Sequence, residues 1–345
     1  MSKTKLSENK ENISQKGLMV IGIVSLAILI VGIIMYYVNL NEAFYVSTSS
    51  VQSIFKAITY LGEPVVFIII IAILFLAYNK TYAKSLAYSL LFSYYLNGVF
   101  KELFQDPRPL TNVPGSDHGF VEPDYGFPSG HAQTAVSFWG HVGYEFKDKY
   151  EYKNIQIVPI LMSILIFLIA ISRIIIGVHD LQDIIGGLLL GIGFLLLFIY
   201  IEPYLTEQFN KLNFLTKIIV TASIGIFLFI LGTLLFPSAG LGLVTPSLYY
   251  KDDGVFAQVG GSILGFSVGY LLEQEYIKYD PTHLSTKKKL INLAIGIIIL
   301  LVIFVPLEYL IKVDSVFYRF FRYALPTFVL AYVVPLICTK IDPKI

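Results

Sequence analysis

The chain returns again and again to apolar runs long enough to cross a lipid bilayer. A spanning helix needs about 20 predominantly apolar residues, because each residue advances only about 1.5 Å. One such run covers 18–38. Further runs lie near 64–78, 85–104, 129–146, 155–171, 180–201, 215–236, 256–272, 290–311 and 321–338. So much apolar surface cannot be hidden in one water-soluble core. Composition agrees: 56% of the 345 residues are hydrophobic and 14% are charged, where a soluble domain is about a quarter charged. The expected fold class is all-α, a polytopic membrane protein of about ten spans.

Charge orders these runs. Residues 1–16 are polar and carry Lys3, Lys5, Lys10 and Lys16, which reads as a cytoplasmic N-terminal tail. The run at 18–38 is longer than a signal-peptide core and no small-residue cleavage site follows it, so it is expected to be a retained span. With the N-terminus inside and the spans alternating, most of the 25 Lys and Arg residues fall on the inner side, as the positive-inside rule requires. Lys101, Arg108 and Arg173 belong to the outer minority. Val51, Ile54, Phe55, Ile58 and Leu61 recur at helical spacing, which predicts a short helix in the outer interface or the lead-in to a span. The net charge of +1 gives no hint of nucleic acid, and the lone Cys338 cannot form an internal disulfide.

Three segments carry chemistry, and the topology brings all three to the outer face: KELFQDPRP at 101–109, PSGH at 128–131 and SRIIIGVHDLQD at 172–183. Lys101, Arg108 and Arg173 are three cations near a membrane boundary, where ionisable groups are expensive and usually functional. Arginine grips phosphate oxygens in a fork and lysine acts as a point charge. Pro128-Ser129-Gly130 opens a helix whose free N–H groups suit an anion, with a hydroxyl from Ser129 and close approach at Gly130. His179 and Asp183 are four apart and share one helix face, so the carboxylate can fix the imidazole's tautomer. A neutral histidine attacking phosphorus gives a phosphohistidine. His131, at the mouth of the cradle, is placed to protonate the leaving alkoxide and then to activate water.

These segments resemble the three-part signature of the type 2 phosphatidic acid phosphatase superfamily, which includes lipid phosphate phosphatases and vanadium haloperoxidases. The pattern is Lys, six residues, Arg-Pro; then Pro-Ser-Gly-His; then Ser-Arg, five residues, His, three residues, Asp. Every specified position is filled in order. The resemblance implies His179 as nucleophile, Asp183 as its partner and His131 as acid and base. Lys101, Arg108, Ser129, Gly130 and Arg173 would bind phosphate, with no metal and no other cofactor. It also implies a six-helix core with the site near the outer or lumenal interface. The expected organisation is a tail at 1–16, a phosphatase core at 17–201 and a transmembrane extension of unknown role at 202–345.

The expected function is a membrane phosphatase that hydrolyses a phosphomonoester or pyrophosphate of a lipid. The alternatives are a lipid-linked phosphotransferase and a phosphatase for a soluble ester such as a sugar phosphate. A binding-only transporter would not require His179 and Asp183. A zinc site of His131, His179 and Asp183 would leave the three cations unexplained. The expected partner is a membrane lipid bearing phosphate or pyrophosphate, with self-association into a homo-oligomer left open and no nucleic acid. The loop 110–127, rich in Gly, Pro and Asp, is a candidate cap for the site, and its His118 reads as a solvated residue. Asn97 lies one turn before Lys101, where it could steady that side chain or serve helix packing, and Glu63 could line the pocket or cap its helix, the cap being the favoured reading.

Overall fold

The computed structural model describes residues 45–109, 122, 124–152, 155–236, 254–307, 311, 313 and 315–341. The expected tail 1–16, the expected first span 18–38 and His118 lie outside them.

Helix α1 (Ser49–Thr59) passes through a tight turn at Tyr60–Gly62 into α2 (Pro64–Ala77), with a bend of 47° between them. The bend follows from Glu63, which is extended, and from Pro64 at the first helical turn, where its missing N–H breaks no bond. The amphipathic stretch seen in the sequence thus forms a helix, and α1 packs against α6 (Ile157–Ile175). Gln52 anchors it there: Nε2 donates to Val46 O at 2.6 Å and Ile175 O at 2.9 Å.

Helix α3 (Lys80–Phe104) starts at Asn79, whose side chain accepts from the N–H groups of Thr81 and Tyr82. It ends at Gln105, left-handed with φ 48°, which turns the chain out of the helix. Helix α4 (Gly130–Ala135) runs through a widened turn at Val136–Gly140 into α5 (His141–Glu145). A two-residue antiparallel pair, Glu151–Tyr152 with Ile155–Gln156, links α5 to α6. Then come α7 (Leu181–Asn210), α8 (Phe214–Leu235), α9 (Val255–Leu272), α10 (Thr286–Val305), α11 (Val316–Phe328) and α12 (Val334–Ile341). Apart from that small hairpin, the described residues form an all-α, multi-spanning membrane protein.

The span count differs from expectation. Among the described residues six helices are long and apolar enough to cross a membrane: Ile157–Ile175, Leu181–Asn210, Phe214–Leu235, Val255–Ile277, Thr286–Val305 and Val316–Ile341. The bent pair Ser49–Gly62 with Pro64–Ala77 makes seven if taken as one span. Among the described residues the expected figure of about ten is therefore corrected to six, or up to seven, and the expected span at 18–38 lies outside them. The physical reason lies in two central elements. Helix α3 is long but carries Lys80, Lys84, Lys101 and Glu102. The stretch from Gly130 to Glu145 consists of pieces of 6, 5 and 5 residues, about 24 Å at helical rise and short of a hydrocarbon core of about 30 Å. Ala132, Ala135, Val136 and Phe138 are buried among neighbouring helices, so this stretch need not meet lipid. The outer helices do: Leu215, Leu234 and Val302 are among many large apolar side chains left exposed.

One apolar core joins the two halves of the chain. Phe67, Phe75 and Leu76 of α2 and Leu86 of α3 pack with Phe266 and Tyr270 of α9 and Val334 of α12. At the end of α3 remote from Lys101, Lys80 Nζ meets Glu273 at 2.8 and 2.9 Å, and Tyr279 OH donates to Leu76 O at 2.6 Å. Helix α9 lies against α11 with no room for side chains at Gly261 and Gly265, where a Cβ would run into the Phe320 and Ala324 carbonyls. Gly265→Val is expected to force these helices apart at a cost of about 1–3 kcal/mol or more. A thermal melt in detergent checks this; an unchanged midpoint would contradict the close packing.

Candidate active site

Four chain segments meet at one end of the bundle: the C-terminal ends of α3 and α6, the start of α4 and the start of α7. Backbone contacts hold them. Gly187 lets α7 lie on the Ser129 backbone, where a Cβ would come within 2.5 Å of Ser129 O. Ser129 N–H donates to Asp183 O at 2.9 Å. Asn97 Nδ2 donates to Pro128 O at 3.2 Å and Gln133 Oε1 at 2.9 Å. Asn97 therefore steadies the PSGH turn, and no bond from it to Lys101 is seen. Ser129 caps α4, its hydroxyl accepting from Ala132 N–H at 3.4 Å, and the space over Gly130 faces Asn97 Oδ1 at 3.1 Å. Between α6 and α7 the N–H groups of Val178 and His179 both donate to Arg173 O, so the turn sets His179 beside the end of α6.

His179 is 1% exposed and Asp183 is fully buried. His179 Nδ1 lies 2.8 Å from Asp183 Oδ2, and Nε2 lies 2.7 Å from Arg108 Nη1. A guanidinium N–H can only donate, so Nε2 must be the lone-pair nitrogen and Nδ1–H must donate to Asp183. Burial, and then the charges of Arg108 and Arg173, hold the His179 pKa well below its ordinary 6.5. The imidazole is neutral, with its lone pair turned toward the cations.

Each of the three cations has an anionic neighbour. Lys101 and Arg108 both pair with the Asp124 carboxylate, and Arg173 pairs with Glu122. Lys101 Nζ also donates to Tyr125 O at 2.7 Å, and Arg108 donates to Asp124 O at 2.9 Å and Val178 O at 2.8 Å. Arg173 Nη1 donates to Thr59 Oγ1 at 2.8 Å. Burial alone would raise the Glu122 carboxyl, but Arg173 and Arg108 outweigh it and hold it at about 2. For Asp124 burial is likewise outweighed, by Lys101 and Arg108, and the pKa falls below the usual carboxylate range. Burial opposes the charged form of Arg108 too, and Asp124 and Glu122 reverse that. Asp180 moves the other way: burial lifts it to about 6, against the N–H of Asp183 and with help from nearby Asp106.

The second histidine has its own carboxylate. His131 Nε2 lies 3.2 Å from Glu63 Oε1. Glu63 makes no side-chain cap bond to α2, so its role differs from the helix cap expected of it. The structure thus brings Lys101, Arg108, Ser129, Gly130, His131, Arg173, His179 and Asp183 into one region. It adds Thr59, Asp106, Glu122 and Asp124, which sequence reasoning passed over, and Glu63, which sequence reasoning favoured as a cap over a pocket residue. Asp124 and Glu122 belong to the loop named as a possible cap; nothing in spacing marks Thr59 or Glu63. His141 is buried between the rings of Tyr82 and Phe198. His283 is exposed, beside Asp280. Among the described residues, the group of three metal-type donors within 4.8 Å of one another is made by the carboxylates of Asp106, Asp180 and Asp183. His131 is not in that group.

Comparison with known proteins decides the family. The sequence model of the PAP2 superfamily matches residues 82–207, and that of the PAP2 superfamily phosphatase transmembrane extension matches 257–344. The chain belongs to the PAP2 superfamily. This is the family that the three motifs resemble, and its transmembrane branch. Among curated relatives, the chain is 26% identical over 160 residues to lipid phosphate phosphatase delta of Arabidopsis thaliana, covering 42% of this chain and 38% of that protein. It is 32% identical over 111 residues to phosphatidylglycerophosphatase B of Bacillus subtilis (strain 168), covering 32% of this chain and 51% of that protein. The chain thus spans about half or less of these relatives. A crystal structure of a transmembrane PAP2 type phosphatidylglycerolphosphate phosphatase from Bacillus subtilis is similar at TM-score 0.44 and 24% identity, over 52% of this chain and 94% of that one.

The geometry of this PAP2 site makes a direct statement about protonation. A basic group such as imidazole whose pKa lies below the free value keeps its neutral form as pH falls through that value. At pH 6.5, where a free imidazole is about half protonated, His179 is expected to be neutral with its proton on Nδ1. Nitrogen NMR of histidine-labelled protein checks this, with His179→Ala for assignment. A midpoint at or above 6.5 would contradict it.

Proposed function

We propose that this chain is a membrane phosphatase that hydrolyses a phosphomonoester or pyrophosphate of a lipid, with His179 as nucleophile. The observation that carries the reading is the neutral His179, held by Asp183 on one nitrogen and offering the other to a cluster of three cations. That cluster already takes anionic oxygens, those of Asp124 and Glu122, and a phosphoryl group is an anion of the same kind. The apolar surroundings favour a lipid over a water-soluble ester. Leu103 and Phe104, at the end of α3 beside Lys101, are 62% and 46% exposed, and an acyl or prenyl tail needs such a surface next to its headgroup. The printed names of the two curated relatives, a lipid phosphate phosphatase and a phosphatidylglycerophosphatase, agree with that substrate class.

The steps follow from the residues. Nε2 of His179 attacks phosphorus and the bond from phosphorus to the lipid oxygen breaks. Lys101, Arg108 and Arg173 bear the charge that builds on the equatorial oxygens. Asp183 stabilises the cation that forms on the ring. Protonated His131, steadied by Glu63, gives its proton to the leaving oxygen. Water then attacks the phosphohistidine, His131 takes its proton, and free phosphate and neutral His179 are restored. The chain is expected to place this site on the extracytoplasmic side with the N-terminus in the cytoplasm, because most Lys and Arg residues then lie inside. The division into a core at 17–201 and an extension at 202–345 belongs to the same proposal.

The decisive test is phosphate release by purified protein in detergent with EDTA. Substrates would be phosphatidic acid, phosphatidylglycerol phosphate, a sphingoid phosphate, a polyprenyl pyrophosphate and glucose 6-phosphate. Release from a lipid is expected, with His179→Ala reduced to background and Asp183→Asn slowed by roughly 10³- to 10⁴-fold. Retained turnover in His179→Ala would remove it as nucleophile. Release from glucose 6-phosphate alone would overturn the lipid reading.

Glu63→Gln gives an independent check on the acid. It is expected to slow alkyl phosphates by roughly 10-fold or more while sparing an aryl phosphate, whose leaving group needs little proton assistance. Equal loss on both substrates would deny Glu63 a part in protonating the leaving group.

A further inference from the structure

The His179–Asp183 pair has a third member that the reaction above does not use. Asp106 lies just beyond the left-handed end of α3, and its carboxyl contacts both the Asp183 carboxyl and Gln182. The available donors do not suffice for this group. Asp183 Oδ2 accepts twice, from His179 Nδ1 at 2.8 Å and from Asp180 N–H at 3.3 Å. Asp183 Oδ1 and Asp106 Oδ2 are buried and accept from nothing. Asp180 brings a third carboxylate, and its Oδ1 is taken by Asp183 N–H at 3.1 Å.

Gly126 seals the cluster. An atom in place of its missing Cβ would lie 3.1 Å from both Asp106 Oδ2 and Asp183 Oδ2, and its N–H is spent on Asp106 O at 2.8 Å. Arg108 is the nearest cation, and its donors already serve His179, Val178 and Asp124. Two carboxylates in contact and out of water cannot both be ionised; such a pair holds one proton between them.

We propose that Asp106 is a positioning residue for the nucleophile: as the carboxylic acid it donates its proton to the free oxygen of Asp183, which fixes the Asp183 carboxylate against His179. This rests on the reading of His179 as nucleophile. With the proton in place, Asp183 keeps one negative charge and one orientation, and Nδ1–H of His179 has a fixed acceptor while Nε2 attacks. An amide of the same shape at this position would still offer an N–H to Asp183. A methyl group would leave Asp183 Oδ1 without a donor.

The experiment compares wild type, Asp106→Asn, Asp106→Ala and His179→Ala, all as full chain in detergent. Turnover is measured with phosphatidic acid or whichever panel lipid wild type hydrolyses. Infrared spectra are recorded at neutral pH in the carboxylic-acid C=O region. Asp106→Asn is expected to keep kcat within a few-fold. Asp106→Ala should lose roughly 10- to 100-fold in kcat with KM little changed, the scale of one hydrogen bond to a charged group. Wild type should show a carboxylic-acid band that Asp106→Asn lacks.

The proposal is overturned if Asp106→Asn falls as far as Asp106→Ala, or if its band is unaltered. It is also overturned if EDTA abolishes wild-type turnover and Mg²⁺ or Ca²⁺ restores it, since a cation would then hold the carboxylates together. If Asp106→Ala fails to fold, Asp106→Asn and its spectrum still decide. If wild type hydrolyses nothing, the phosphatase reading fails, and the infrared band decides the shared proton separately.

Discussion

Lys101, Arg108 and Arg173 are withdrawn from water at the end of a bundle of apolar helices, and that cost governs the local architecture. A buried charge is tolerated only when it is paired and hydrogen-bonded. Asp124 answers two of the cations and Glu122 the third, so the segment before the PSGH turn is drawn onto α3 and α6. Further donors fall on backbone carbonyls and on Thr59. One N–H of Arg108 Nη1 points at His179. The tautomer of His179 is thus a consequence of how a buried guanidinium is hydrogen-bonded.

Two histidines stand in this field with different surroundings. His179 has a carboxylate on Nδ1 and an arginine on Nε2, within a region of positive charge that disfavours a further proton. His131 has Glu63 as its partner, and that carboxylate supports the charged ring, but burial and then Arg173 outweigh it and hold the His131 pKa below its ordinary value. Both rings therefore have lowered pKa values, and what distinguishes them is the partner each one holds: Asp183 and Arg108 for His179, Glu63 for His131. The acidic group around Asp183 adds a second layer, in which Asp106 and Asp180 crowd the carboxylate that holds His179.

The sequence made part of this legible. The spacing of His179 and Asp183 put both on one turn, and the structure has their side chains 2.8 Å apart. The short amphipathic helix after residue 50 was readable from five apolar positions, and it forms as α1. The number of spans was not readable. Helix α3 and the broken stretch from Gly130 to Glu145 resemble spans when apolar letters are counted, but they are surrounded by other helices and follow different rules from helices that face lipid. The cap was the favoured reading for Glu63 because a carboxylate before a proline commonly caps a helix, and only the packing of the Tyr60–Gly62 turn against α4 sends it to His131.

By itself the sequence determined that the chain lives in a membrane and that three short segments carry the motifs of the PAP2 superfamily. Those conclusions rest on properties a linear string carries: apolar run length, charge type and helical spacing. Tertiary structure decided which carboxylates meet which cations. Asp124 faces Lys101 and Arg108, Glu122 faces Arg173, Glu63 faces His131, and Asp106 faces Asp183. Each of these pairs is made by chain segments brought together through helix packing. No local periodicity constrains a contact of that kind, because it arises only where both groups are withdrawn from water together and their interaction offsets that cost.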